Sequence, residues 1–368
     1  MPDAADPAPM PRPRHRILHH PNTALMRFEL ILPGLCWPTG QGPHPARGLP
    51  LPSLSTLLGF STARWCPRTS LETLLATQFQ VSEEASPAYL RRLGEDTPVP
   101  ATGHWLCCDP AHLHFARDTL LLADASGLAI QRDEADTLMA GLNALFADIG
   151  HFEAPSPDRW YIRLADMPRP RFHPLADVNG RPVQLFLPEG EDVARWARLS
   201  NELEVWLYNH PVNQAREASG QRTINGVWLW GNGALPGKVT RSFSQIQANL
   251  PLARGHARQA GIEPAPAERY QAPSGATLAV VDSLLKPLLH RDPQAWAAAL
   301  QELDRDWFAP LLTDLKSRRI SHLHVSVPDD QHSLNLDIAA SGLWKFWRKP
   351  RLLDTLLASA PSTSPSTP

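Results

Sequence analysis

The chain has 368 residues, 43% of them hydrophobic, with 35 Lys and Arg against 37 Asp and Glu and a formal net charge of −2. That length allows two ordinary domains or one large one, and the charge balance excludes a whole-chain basic field that would gather nucleic acid or anionic lipid. No apolar run reaches the roughly 20 residues of a membrane span, and the arginines near the start lack the apolar segment and cleavage site of a secretory signal, so neither a nucleic-acid nor a membrane partner is expected.

The opening MPDAADPAPMPRPRHR is aperiodic and rich in Pro and Arg. It predicts a disordered extension over 1–25, with MRFELILPGL from Met26 reading as a natural beginning. Arg27 to Leu35 predicts a buried strand ended by Pro33-Gly34. Helical patterns follow in LPSLSTLLGF and SLETLLATQF, making 26–100 the first part of an α/β core with Pro-rich loops. HWLCCDPAHLHF, TLLLADA and RWYIRLAD predict strands. QRDEADTLMAGLNALFADIG predicts a helix stopped by Gly150. Together they form an α+β unit over 101–190. An amphipathic helix is predicted from Glu191 to about Asn209, with Leu199, Leu203, Trp206 and Leu207 on one face. Strands and helices then alternate through GVWLW, NLPLARGHARQAG, ATLAVVD, DPQAWAAALQELDRDWFAPLLTDLKSR and HLHVSVPD. That alternation predicts βαβ units in a mainly parallel sheet and assigns 191–350 to the rest of the core. The closing SAPSTSPSTP predicts a disordered tail over 351–368.

The four cysteines, Cys36, Cys66, Cys107 and Cys108, include no C-x-x-C pair. A zinc knuckle is therefore not indicated, adjacent cysteines rarely bridge each other, and a reducing cytoplasm is the simplest setting. The segment NGVWLWGNGALPG carries the strongest local signal. Trp228 and Trp230, two residues apart, share a face. A central strand here would let them fill the joint between the α+β unit and the core. Ligands of open α/β sheets sit beyond the carboxyl ends of strands, so Gly231, Asn232 and Gly233 form a candidate loop for a phosphorylated or other anionic small molecule. The alternative is a tight turn. Asn213 and Arg216 in HPVNQAR are the candidate side chains beside it, since Arg offers a charge-assisted fork to phosphate. The alternative for them is helix capping and burial.

HPVNQAREASGQRTINGVWLWGNG, with HWLCCDPAHLHFARDTLLLAD, DEADTLMAGLN, RWYIRL and DRDWFAPLL, resembles the RpfE-type regulatory proteins of proteobacteria nearly end to end from Met26. From Trp105 to Gly233 the chain is also remotely similar to archaeal-type, cofactor-independent phosphoglycerate mutases of the alkaline phosphatase superfamily. The resemblance implies a fold: an α/β, mainly parallel sheet core interrupted by an inserted α+β domain. It also implies chemistry, because those mutases use two divalent metals, which clamp attacking and leaving oxygens, and a Ser or Thr nucleophile.

The family's first strand ends in an Asp ligand, and Pro33 stands at that place here. Only Thr77, in TLLATQFQV, offers itself for the nucleophile stretch. VVDSLLKPLLHRDP supplies Asp282, His290 and Asp292, and HLHVSVPDDQHS supplies His322, His324, Asp329, Asp330 and His332. Of these, Asp282, His290, Asp330 and His332 are the candidates for a residual metal site, for which the resemblance implies Mn or Zn. With Pro33 in place of a ligand, the expectation is a non-catalytic or degenerate mutase-like protein without a metal cofactor, in a regulatory or ligand-sensing role with an unknown protein partner. The alternative is an active metal-dependent mutase or phosphatase-type phosphotransfer enzyme.

Overall fold

The computed structural model describes residues 26–38, 42–100, 102–237, 239, 241–345 and 347–361. The extension expected over 1–25 and residues 362–368 of the expected tail lie outside them. In chain order, β1 (Met26–Ile31), α1 (Pro52–Phe60), β2 (Thr62–Thr69), α2 (Leu71–Phe79) and α3 (Pro87–Leu93) come first. Both α1 and α3 start with proline, whose missing N–H costs nothing in the first turn. Ser70 and Ser86 cap α2 and α3. Leu51 cannot cap α1, and the carboxylate of Asp304 does so instead, accepting from Leu54 N at 2.7 Å and Ser53 N at 3.3 Å.

Next come β3 (His104–Ala116), β4 (Thr119–Asp124), α4 (Arg132–Leu145), β5 (His151–Ser156), β6 (Arg159–Leu164), α5 (Leu175–Val178), α6 (Val193–Asn209), α7 (Pro211–Ala218) and β7 (Gly226–Trp230). The remainder is β8 (Gln245–Ala248), α8 (Pro251–Gln259), β9 (Thr277–Val280), α9 (Leu285–Leu289), α10 (Pro293–Leu303), α11 (Ala309–Lys316), β10 (Ile320–Val327), β11 (Asp329–Ala339) and α12 (Leu353–Leu357).

Two sheets result. The larger has the order β2-β11-β10-β1-β9-β8. Its four strands from β10 to β8 are parallel, and β11 and β2 are added antiparallel at one side. Phe28, Leu30, Leu323 and Val325 belong to the core that α1, α10, α11 and α12 cover. Ile31, Leu278 and Val280 face the other way, into a core shared with α2 and α8. Burial on both faces is why β9 reads as a nearly continuous apolar run.

The second sheet is antiparallel and built around β3. Ala111 pairs with both Asp124 of β4 and Gly226 of β7, and Cys107 with both Tyr161 of β6 and Trp230 of β7. Thus β7 takes one edge of β3, while β6 and β4 share the other in succession. The expectation of GVWLW as a central strand of the parallel sheet is corrected here. Five residues buried on both faces look the same in either sheet, and only the pairing partner distinguishes them.

Trp196, Leu199, Leu203 and Leu207 of α6 join the core of this second sheet, so α6, α7 and β7 extend the α+β unit beyond 190. The expected tail is also corrected: Leu353, Leu356 and Leu357 of α12 are buried in the main core. Their i, i+3, i+4 spacing was obscured by the Ser/Pro/Thr run beside it.

The two units meet through α3. On one side it crosses α8 at backbone contact, where a Cβ added to Gly255 would lie 1.6 Å from Leu90 O, and one added to Gly94 would lie 1.7 Å from Pro251 O. On the other side Arg91 reaches into the second sheet and pairs with Asp109 of β3.

Candidate functional site

The carboxyl ends of β1, β9 and β10 lie together. Leu32 N donates to Ser326 O at 2.9 Å, and Val281 N donates to Ile31 O at 3.0 Å. Past these ends the chain continues as Pro33-Gly34 to Trp37, as Asp282 to Arg291, and as Pro328 to His332. Gly34 has φ +86°, and a Cβ there would lie 2.8 Å from the backbone of Leu284, so glycine lets the two loops touch. Across from them stand β4, the turn Ala125–Gly127 and residues 179–181 of the α+β unit. Between the two walls is a cleft of about 910 Å³. Its position, at strand carboxyl ends and between domains, is where α/β proteins place ligands.

His290, Asp330 and His332 line this cleft, and Asp282 does not. His290 Nε2 lies 2.8 Å from Ser126 Oγ on the opposite wall. The Ser126 hydroxyl donates to Asp124, so it accepts from the imidazole N–H. That order makes a bridge across the cleft rather than a serine activated by a base. Arg68 makes a second crossing, an ion pair with Asp177. Asp329 turns back to accept from Gln331 N at 2.9 Å and His332 N at 3.3 Å.

Burial, together with Asp329 and Asp177, raises the Asp330 carboxyl above the ordinary range against the pull of Arg68. Burial raises the Asp282 carboxyl. Burial and Asp329 push the Cys36 thiol up to about 12, so it is not a nucleophile at neutral pH. The metal site that the mutase resemblance implies does not fit these residues. Pro33 offers no donor, Asp282 stands outside the cleft, and among the described residues no three His, Cys, Asp or Glu side chains are grouped to hold an ion.

The glycine loop lies elsewhere. Gly231 O accepts from Ala88 N and from Ser86 Oγ, while Ala234 N donates to Glu84 O. A Cβ on Gly233 would lie 2.6 Å from Glu84 O. Asn232 Nδ2 donates to Pro168 O and Pro170 O. The loop is thus clasped to the segment before α3. Arg216 is not beside it. Its side chain is 2% exposed and pairs with Glu134 Oε2 at 2.7 Å, Arg222 O at 2.7 Å and Leu128 O. Asn213 bonds Leu207 O, Ile224 O and Ile224 N. Both sit at the start of β7, and the glycines follow its end, on the order of 15 Å away at ~3.3 Å per residue. The expectation that Arg216 approaches the loop is corrected: motif residues adjacent in sequence were separated by the strand between them.

Among other sequence candidates, Thr77 Oγ1 donates to Thr73 O within α2. Asp292 caps α10. His322 and His324 share the carboxylate of Asp337 across the β10–β11 pairing. Burial works against that carboxylate, yet the two imidazoles hold it below the ordinary range. Sequence reasoning gave no role to Arg181, Arg222 and Arg291 of the cleft, which lie on separate segments and converge only in three dimensions. It read Trp230 at the joint, where Nε1 donates to Asp109, but missed the charged groups around it. There Arg91 meets Asp109, Tyr161 Oη accepts from Arg91 Nε and donates to Glu95, and Glu95 pairs with Arg159.

No family model matches the chain. Over 118 residues, 31% of this chain and 29% of the relative, it is 32% identical to a 2,3-bisphosphoglycerate-independent phosphoglycerate mutase from Methanothermobacter thermautotrophicus. Over 63 residues, 17% of this chain, it is 35% identical to the corresponding mutases of Methanothrix thermoacetophila and Methanosarcina mazei, of which it spans 16%. Among solved structures, the PH0037 protein from Pyrococcus horikoshii superposes with a TM-score of 0.52 at 14% identity, covering 85% of this chain and 87% of that one. The chain therefore shares that fold and is remotely similar in sequence to cofactor-independent phosphoglycerate mutases, matching under a third of the length of each curated relative. Among the described residues no helix is long and apolar enough to cross a membrane.

Proposed function

We propose that this chain is a non-catalytic, degenerate relative of the phosphoglycerate mutases. In this reading it has a regulatory or ligand-sensing role in the cytoplasm, of the kind its resemblance to RpfE-type proteins implies. Its ligand, an anionic or phosphorylated small molecule, enters the interdomain cleft rather than the glycine loop. The observation that carries this reading is the incomplete donor set: Pro33, just past the first strand, has no ligand atom, Asp282 stands outside the cleft, and among the described residues no three His, Cys, Asp or Glu side chains are grouped to hold an ion. Arg181, Arg222 and Arg291 line the same cleft beside Asp124, Asp329 and Asp330, and Arg suits phosphate oxygens through its fixed fork of donors.

A second reading is a metal-dependent mutase or phosphotransferase with rearranged ligands, favoured by Asp330 and His332 in the same cleft. Pure protein supplied with Mn or Zn separates the two. The first reading expects no conversion of 3-phosphoglycerate to 2-phosphoglycerate. It also expects a melting temperature raised by phosphorylated acids through mass action, with the rise lost in Arg181→Ala. Metal-dependent turnover abolished by Asp330→Ala would establish the second reading and overturn the first.

A further inference from the structure

We propose that the corner formed by the end of α11 and the segment before α12 is a docking surface for an anionic lipid bilayer. Two stretches of chain meet there. Arg318, just after α11, lies with its guanidinium 5.8 Å over the ring of Trp344. Residues 314–319 and 343–354 together hold seven Lys and Arg against two carboxylates, in a chain whose net charge is −2. One of those carboxylates, Asp314, is already engaged by Tyr270 Oη at 2.6 Å and Arg319 at 3.2 Å. Lys316, Arg318, Arg319, Lys345 and Lys349 are exposed. Among them stand large apolar groups: Trp344 is 68% exposed, Trp347 65% and Leu352 57%.

The platform is held in place. Arg348 Nη1 donates to Phe60 O at 2.9 Å, and Arg351 N donates to Ser55 O at 2.9 Å. The backbone of Lys349 packs on Gly59, where a Cβ would lie 2.2 Å from Lys349 O. The end of α1 thus fixes the segment and leaves its Trp and Lys side chains outward.

Exposed indole rings and an aliphatic side chain among cations match the headgroup layer. Trp sits with an apolar body and a polar N–H at that depth, while Lys and Arg are drawn to the negative surface potential. Single-stranded RNA, the other polyanion, binds through bases stacked on free ring faces. One face of Trp344 is covered by Arg318, and Leu352 offers no stacking surface. The near-neutral charge of the whole chain averages this local excess away.

Co-sedimentation of the full chain with vesicles tests the proposal, using phosphatidylcholine alone and phosphatidylcholine mixed equally with phosphatidylserine. The expected result is binding to the mixed vesicles only, released by added salt as the attraction is screened. The double variant Lys345→Glu with Lys349→Glu should lose at least about 25-fold in partitioning, at roughly fivefold for each cation removed. Trp344→Ala should weaken binding while leaving its salt dependence in place. Unchanged melting temperatures for these surface variants establish that they fold. The proposal is overturned by absent vesicle binding at low salt, by equal binding to both vesicle types, by a folded double variant that binds like the parent, or by binding to poly(U) without binding to vesicles.

Discussion

Removing Asp109 should cost this protein more than the loss of any surface ion pair. Its carboxylate is 1% exposed and accepts both ends of the Arg91 guanidinium, at 2.7 and 2.5 Å, as well as Trp230 Nε1 at 2.7 Å. Arg91 is enclosed by the rings of Tyr161 and Trp230, at 4.7 and 5.3 Å from its guanidinium carbon. Burial opposes its charge, and Asp109 restores it, holding Arg91 firmly protonated. Asp109→Ala leaves that cation buried without its counter-charge, at about 3–5 kcal/mol, and strands the Trp230 N–H at a further ~1–3 kcal/mol.

These terms overlap, so the expected loss is about 4–6 kcal/mol, read as the shift in urea midpoint with m held constant. Arg91→Met on the same background removes the orphaned charge and should recover much of the loss, because apolar replacements of buried pairs are often near neutral. The Trp230 N–H still lacks an acceptor, so recovery stays incomplete. A loss below about 1 kcal/mol in Asp109→Ala, or a double variant no better than the single, would refute the view that this pair joins the two units.

Gly255→Ala should destabilise by more than the ~1–3 kcal/mol of ordinary overpacking, because its methyl would strike the Leu90 carbonyl itself; thermal melting would show it. Trp228→Ala should cost about 3 kcal/mol or more in chemical denaturation, since the ring is buried and Nε1 donates to His173 O. His256 is buried against Phe79, and burial lowers its pKa from 6.5 to about 4. The unfolded chain therefore takes up that proton first. The stability that neutral His256 contributes is full above pH 6.5 and lost as pH falls towards 4, by about 3 kcal/mol at ~1.36 kcal/mol per unit. The stability difference between the parent and His256→Phe should vary over that window and be constant above it. Ser126→Ala with Arg68→Ala should barely move the melting temperature, because half-exposed pairs contribute little, yet should speed amide exchange at the cleft rims around Asn179 and His290.

Much of the fold was legible in the sequence because burial on both sides of a strand leaves a local mark. TLAVVD is a nearly continuous apolar run, RFELIL and HLHVSV place an apolar residue at every second position, and bounded by turn residues they became β9, β1 and β10 of the parallel sheet. The apolar face of α6 is likewise a short-range fact. Pro33 at the end of the first strand could be read as a missing donor directly, since a proline side chain has no ligand atom wherever it lies. What sequence could not decide was pairing and convergence. GVWLW is compatible with either sheet, and it was the contact of Trp230 with Asp109 and Arg91 that placed it with β3. Arg216 stands close to Gly231 along the chain, yet β7 lies between them, and Arg216 turned to Glu134 instead. The cleft gathers Arg181, Arg222 and His290 from segments scattered along the chain. No periodicity of 2 or 3.6 records such a meeting, because it depends on how the α+β unit is docked through α3, a long-range arrangement that only the folded chain contains.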